Sequence, residues 1–244
     1  IMEDFGKDIY YVTGNHDYIS DDNQIFFNYK PKNLHIFSSD RVSFFEKENY
    51  RIYGISYADR IFQNEIFDYH LGLDHSYNNI LLLHADVFSK NTTYLNLDLE
   101  KINRLGFDYV ALGHIHKREK FYDNIYYAGS IEPGSFKDIY TYGYNLIKEG
   151  QVEEIDSSLL KFYEMDLKDK YFVKEDQVID YINTRLKNKE NFLRLIVNED
   201  FSFDLDRIKE KTRVSFIEKI VKEDTSYQDL ESIFPDSLLN KYKA

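Results

Sequence analysis

Residues 106–119 read GFDYVALGHIHKRE. Gly106 is placed to close a helix that the spacing predicts over Asp98 to Leu105, with Asp98 as its cap. An apolar, β-prone run follows, Asp108 to Leu112, and stops at Gly113. It gives way to two histidines two apart, His114 and His116. In an extended segment residues i and i+2 share a face. Both imidazoles can therefore reach one site, or two adjacent ions, while Ile115 turns back into the core. Helix, buried strand and polar strand end together predict an α/β layer protein whose ligands collect at strand ends.

Two other strands end in the same way. Ile9 to Thr13 runs into Gly14-Asn15-His16-Asp17, and Asn79 to Leu83 runs into His84. Taken singly, each has a plainer reading. Gly, Asn and Asp dominate turns, and a lone histidine after a strand is usually a satisfied, partly buried side chain. The specific signal is the combination of three polar ends, each following an apolar strand. Imidazole suits Zn, Mn and Fe, whereas amide and carboxylate oxygens suit harder ions. A mixed nitrogen and oxygen shell without sulfur favours divalent ions working on a phosphate ester over a structural zinc. His35, His70 and His75 lie at a strand start or in polar loops and do not join this set.

Composition narrows the function classes. The 244 residues contain no Cys, which removes disulfides, thiolate metal sites and cysteine nucleophiles and suits the cytosol. The net charge of −12 argues against broad, non-specific nucleic-acid contact, but not against a site where metal ions supply the positive charge. No apolar stretch reaches membrane-spanning length, so no membrane association is expected. The 22 Tyr and 19 Phe suggest genomic bias and carry no functional reading.

Along the chain, strands are expected at Leu34 to Phe37, Val42 to Lys47 and Arg51 to Tyr57, with two further strand pairs near Ile125 to Ala128 and Gly143 to Ile155, the last turning at Glu149-Gly150. Helices are expected over Asp21 to Tyr29 and Ile61 to Tyr69. Near Asp156 the texture changes: charge rises and Gly disappears. Leu159 to Leu167, Asp176 to Lys187, Phe192 to Asn198, Leu205 to Lys211 and Arg213 to Val221 read as strand, helix, strand, helix, strand. Tyr227 to Ala244 reads as one or two short helices. Two domains are expected, 1–157 and 158–244.

The motifs GNHD (14–17), LLLHADVF (81–88) and ALGHIHKRE (111–119) resemble the third, fourth and fifth motifs of the calcineurin-like metallophosphoesterases. Residues 107–155, running through YYAGS (126–130) and GYNL (143–146), are similar to the bacterial DNA repair exonuclease branch of SbcD and YhaO type. The resemblance implies an α/β fold: a β-sandwich flanked by helices, followed by a small α+β capping domain. It implies two divalent ions, manganese foremost, with magnesium, iron or zinc as alternatives. Asn15, His84 and His114 would hold one ion and His116 the other. His16, oriented by Asp17, would stabilise the transition state and protonate the leaving oxygen, while a water activated by the ions attacks phosphorus.

The family's DxH and GDxxD motifs, which precede GNHD, do not occur in the thirteen residues before Gly14. The expectation is therefore an N-terminally incomplete sandwich, one well-formed metal site and impaired turnover. The partners implied are DNA and a coiled-coil ATPase of SbcC/YhaN type, with a homodimer also open. The location implied is cytoplasmic. Two alternatives stand beside a DNA repair nuclease: a phosphodiesterase or phosphatase for small nucleotides or phosphoproteins, and a non-catalytic partner-binding module.

Overall fold

Strand β5 (Asn78–His84) shows why the central sheet forms. Leu81 and Leu83 are fully buried on one face, and Ile80 and Leu82 are apolar on the other. Apolar residues on both faces mark a parallel strand covered on both sides. Its neighbour β6 (Tyr109–Gly113) has the same character. The register between them is pinned at their starts. The Asp108 carboxylate accepts from the Asn79 backbone N–H at 2.7 Å, and the Asp108 N–H donates to the Asn79 carbonyl at 2.9 Å. That clamp aligns the far ends, so that His84 stands opposite Gly113.

The computed structural model describes residues 3–4, 6–20, 30–62, 67, 69–89, 92–168, 170–187 and 189–222. The chain forms two compact units, Ile1–Glu132 with Tyr140–Ser158, and Pro133–Ile139 with Leu159–Ala244.

The first unit is built on a six-stranded mixed sheet. Besides β5 and β6 it contains β3 (Ser43–Lys47), β4 (Tyr50–Gly54), β7 (Glu119–Tyr122) and β8 (Ile125–Tyr127), in the order β3-β4-β5-β6-β8-β7. The inner strands are parallel, and the edge strands β3 and β7 pair antiparallel. Helix α1 (Leu99–Leu105) is capped by the Asp98 carboxylate, which accepts from Lys101 N–H at 3.1 Å. It ends at Gly106, which adopts the left-handed conformation that favours glycine. Its Ile102 enters the core with Tyr53, Leu81, Val110, Leu112 and Tyr127.

Two small sheets complete this unit among the described residues. β1 (Ile9–Tyr11) and β2 (Leu34–Ile36) pair in parallel. β9 (Gly143–Lys148) and β10 (Gln151–Asp156) form a hairpin. Its turn residues Glu149 and Gly150 both have positive φ, as a two-residue primed turn requires. A Cβ at Gly143 would sit 1.9 Å from the Ile155 carbonyl oxygen, so only glycine fits there.

The second unit follows the expected element order: β11 (Leu160–Asp166), α2 (Glu175–Asn183), β12 (Glu190–Val197), α3 (Leu205–Lys211) and β13 (Val214–Val221). All three strands are parallel, in the order β11-β12-β13. This is the βαβαβ arrangement that helical crossovers produce. Val178, Ile179 and Ile182 of α2 and Ile208 of α3 bury against Leu193 and Leu195. Across the sheet Phe162, Phe192 and Phe216 stand in register. Phe136, from the segment Pro133–Ile139, packs edge-on against Phe162 at 4.9 Å.

β7 and β8 are the strand pair expected near Ile125 to Ala128, with β7 lying just before that stretch. The described residues 61, 62, 67 and 69 are not helical, and the centre of that expected helix lies outside the described residues. The helices expected over 21–29 and 227–244 also lie outside them. Among the described residues no helix is long and apolar enough to cross a membrane.

Candidate metal centre

The clamp that aligns β5 with β6 delivers two histidines to one place. His84 closes β5 and His114 follows β6, and their ring centroids are 5.1 Å apart. His114 makes a sharp turn at φ 102°, a conformation uncommon for any residue with a side chain.

The third strand end arrives by a different route, because β1 is not part of the six-stranded sheet. Thr13, fully buried, carries the connection. Its hydroxyl donates to the Tyr57 carbonyl at 3.0 Å, and its N–H donates to Ser56 Oγ at 3.2 Å. The next residue, Gly14, lies directly against the His84 ring: a Cβ there would stand 2.5 Å from His84 Cε1 and Nδ1. Asn15 then turns inward, is buried, and places Oδ1 2.8 Å from His84 Nε2.

Asp17 holds the turn. Its carboxylate accepts from Gly14 N–H at 2.7 Å and from the Tyr11 hydroxyl. Burial and the Asp17 carboxylate push the Tyr11 phenol up, which keeps it a donor at all ordinary pH values. Asp17 thus fixes the loop that presents Asn15 and His16. The hydrogen bonds described for Asp17 go to Gly14 and Tyr11, not to the His16 ring.

Asn15, His16, His84, His114 and His116 all line one cleft of about 340 Å³. His16 and His116 are exposed at its rim. Gly129 and Ser130 also line the cleft. Ser130 N–H donates to the His116 carbonyl at 3.0 Å. Gly129, at φ 75°, passes so close that a Cβ would lie 2.8 Å from that same oxygen.

Tyrosines support the imidazoles, and in a chain with 22 of them no local pattern singles these out. Tyr94 lines the cleft with its ring centroid 4.4 Å from that of His114. Tyr57 presents its ring edge-on to His84 at 5.3 Å. The Tyr57 hydroxyl accepts from Leu95 N–H at 2.8 Å and so pins the loop that carries Tyr94. Tyr127, also fully buried, donates to the Ala85 carbonyl at 2.6 Å.

Burial favours the neutral form of both central histidines. Burial, reinforced by His114, pushes His84 down to about 4 against the pull of Asp17. Burial also lowers His114, with Asp86 opposing and His116 and His16 adding to the effect. A neutral imidazole has a free lone pair, which is the form that binds metal.

Asn15, His84 and His114 can be tested against a divalent ion. Nitrogen and oxygen ligands of such ions lie about 2.0–2.2 Å from the metal, so two at right angles are separated by about 3 Å. The 2.8 Å between Asn15 Oδ1 and His84 Nε2 meets that spacing, and His114 is a candidate third donor, its ring centroid 5.1 Å from that of His84. The set suits one ion of intermediate softness. Among the described residues no group of three or more His, Cys, Asp or Glu side chains is placed to hold a metal. Among the described residues carboxylates for a second ion are therefore not gathered there; His16 and His116 also line the cleft.

No family model matches the chain. The uncharacterized metallophosphoesterase YhaO of Bacillus subtilis (strain 168) is 31% identical over 159 residues, which cover 60% of this chain and 38% of that protein. The match supports the metallophosphoesterase superfamily. That superfamily implies divalent metal ions, in keeping with the nitrogen and oxygen donors in the cleft. The chain spans 38% of the length of the curated relative it matches.

Proposed function

We propose that this chain carries the motif-bearing part of a metal-dependent phosphoesterase that hydrolyses phosphodiesters, and that its substrate is DNA. The observation that carries this reading is the meeting of Asn15, His84, His114, His116 and His16 on one cleft. A bound divalent ion, manganese by preference, would supply Lewis acidity and lower the pKa of a water. The chain's own residues do the rest. Asn15, His84 and His114 hold the donor atoms in place. His16, exposed at the rim, is free to reach the leaving oxygen and give it a proton. Asp17 acts through the loop, by tying its carboxylate to Gly14 and Tyr11.

The similarity of residues 107–155 to the DNA repair exonuclease branch extends the proposal to a cytoplasmic nuclease subunit. It would work with a coiled-coil ATPase, and its second unit would select DNA geometry. The test compares manganese-dependent cleavage of linear duplex DNA with cleavage of a chromogenic bis-phosphodiester. The proposal expects slow, manganese-dependent DNA cleavage, in line with a site short of its second set of ligands among the described residues, that disappears in a His84→Ala, His114→Ala double variant. Cleavage of the small diester alone would place the chain among small-substrate phosphodiesterases. Metal-independent cleavage would overturn the reading.

One observation favours a second reading. The carboxylates that would complete a two-ion site are not gathered among the described residues. In that reading the chain is a non-catalytic module that binds a partner. Partner capture that is unaffected by the same double variant, with no turnover in manganese, would favour it.

A further inference from the structure

The second unit has a cavity of its own, of about 320 Å³. It lies just beyond the carboxyl ends of β11 and β12, where Leu167 and Asn198 follow the last strand residues. Loops at the carboxyl ends of parallel strands carry ligands in many α/β layers, most often at a reversal of strand order, which the order β11-β12-β13 does not contain.

Aromatic rings make its walls. Phe201 and Phe203 meet edge-to-face at 5.4 Å, and Phe172 is held by Tyr181 at 5.7 Å. Tyr171, at the mouth, is 90% exposed. A tyrosine this exposed contributes little to folding, and its ring offers a bare stacking face. Lys168 and Lys170 also line the cavity. Lys170 Nζ lies 5.2 Å from the Tyr181 ring, and Lys168 Nζ lies 3.6 Å from the Asp166 carboxylate. Asn198 Nδ2 donates to the Lys168 carbonyl at 2.9 Å and fixes the loop that presents these lysines. Asp200 adds one negative charge to the lining.

The second unit is close to balanced in charge: Pro133–Ile139 with Leu159–Ala244 carry 17 basic and 19 acidic side chains, whereas Ile1–Glu132 with Tyr140–Ser158 carry 14 basic and 24 acidic. The chain's net negative charge thus lies mostly outside this unit.

We propose that this cavity binds one nucleoside phosphate unit, with the base stacked on Tyr171 and the phosphate held by Lys170 and Lys168. Its volume is at the lower end of small-ligand sites, which run from about 300 to 1,000 Å³. That is room for one nucleotide and not for a duplex. The unit can be a free mononucleotide or the end of a single strand, since both present the same base and phosphate. The proposal does not depend on the metal centre.

The test uses the 244-residue chain in excess EDTA, with calorimetric titration of dTMP, inorganic phosphate, thymidine and a short oligo-dT. Binding of dTMP is expected to exceed that of phosphate or thymidine. Tyr171→Ala should weaken it about 10-fold, within the range of a single base–aromatic stack, with an unchanged thermal midpoint. Lys168→Gln with Lys170→Gln should weaken it and flatten its salt dependence. The His84→Ala, His114→Ala double variant should still bind, which separates this site from the proposed catalytic one. An oligo-dT that binds no tighter than dTMP identifies the free nucleotide as the source; a tighter one whose gain is lost in Tyr171→Ala identifies a strand end. The proposal is overturned if dTMP does not bind at millimolar concentration, if phosphate binds as tightly as dTMP, or if Tyr171→Ala has no effect.

Discussion

Asn15 Oδ1 and His84 Nε2 lie 2.8 Å apart although 69 residues separate them in the chain. Two buried polar groups at that distance either hydrogen-bond to each other or turn together toward a shared cation. The geometry serves both states. The pair satisfies itself without metal and is spaced as adjacent ligands with it. Asn15→Ala and His84→Ala should each lower manganese affinity at least about 10-fold in calorimetric titration, as loss of one ligand of a small set implies. Asn15→Asp should raise the His84 pKa from about 4, because a carboxylate beside the ring favours the imidazolium. An NMR titration reads that shift directly. A His84 that titrates unchanged in the Asn15→Asp variant would show that the two side chains do not meet.

Gly14 is needed for contact, not for backbone freedom. An added Cβ would stand 2.5 Å from His84 Cε1 and Nδ1 and 2.8 Å from Cγ. The ring has little room to retreat, with the Tyr57 ring against it and Gly113 close to its Nδ1. Gly14→Ala should cost about 1–3 kcal/mol, as overpacking typically does, and should weaken metal binding together with stability. Urea unfolding and metal titration on the same sample check both. A Gly14→Ala chain of wild-type stability would mean the loop is looser than these distances imply.

Burial of neutral histidines makes stability depend on pH in a defined window. His84 has an ordinary value of 6.5 and is pushed down to about 4 in the fold. Above pH 6.5 it is neutral in both folded and unfolded chains and contributes no slope. Below 6.5 the unfolded chain takes up a proton that the folded chain refuses, so stability falls as pH drops toward 4. His114 shifts the same way. For His84 the loss is on the order of 2 kcal/mol after allowing for partial solvent screening. Metal-free urea melts at roughly pH 7.5, 6 and 5 should show the decline, and His84→Gln should flatten it. Equal slopes in the two proteins would assign the acid sensitivity to other groups.

The elements that build the site were readable because each follows from local chemistry. Asp98 and Gly106 frame α1 by capping, the apolar runs of β5 and β6 are too short for helices, and Glu149-Gly150 fits a primed turn. The strand ends at Asn15, His84 and His114 could be named because polar residues stop apolar runs abruptly. What remained hidden depends on tertiary contact. Tyr94 and Tyr57 look like any other tyrosine until their rings meet His114 and His84. The bounds of β7, in the strand pair expected near Ile125 to Ala128, were not legible because EKFY carries little alternation. The placement of Pro133–Ile139 with the second unit follows from Phe136 finding Phe162 and Phe216, a contact that no local pattern announces.

His114 offers a test of whether backbone strain is held for the sake of the site. At most positions alanine is more stable than glycine, because glycine has more conformational entropy to lose. At φ 102° the order should reverse. An alanine there keeps the clash between Cβ and backbone, while a glycine releases it. Neither retains the imidazole or its contacts with His84 and Tyr94, so those losses cancel in the comparison. His114→Gly should therefore be more stable than His114→Ala by about 1–2 kcal/mol, the cost of a side chain in a disfavoured backbone region. Both variants should lose manganese binding. Strain of this kind persists when the surrounding structure over-determines it, and here the sharp turn after β6 is what brings the imidazole beside His84. Paired denaturation curves for the two variants settle the sign. An alanine variant at least as stable as the glycine one would mean that the turn after Gly113 relaxes freely, and that the position of His114 is not built into the fold.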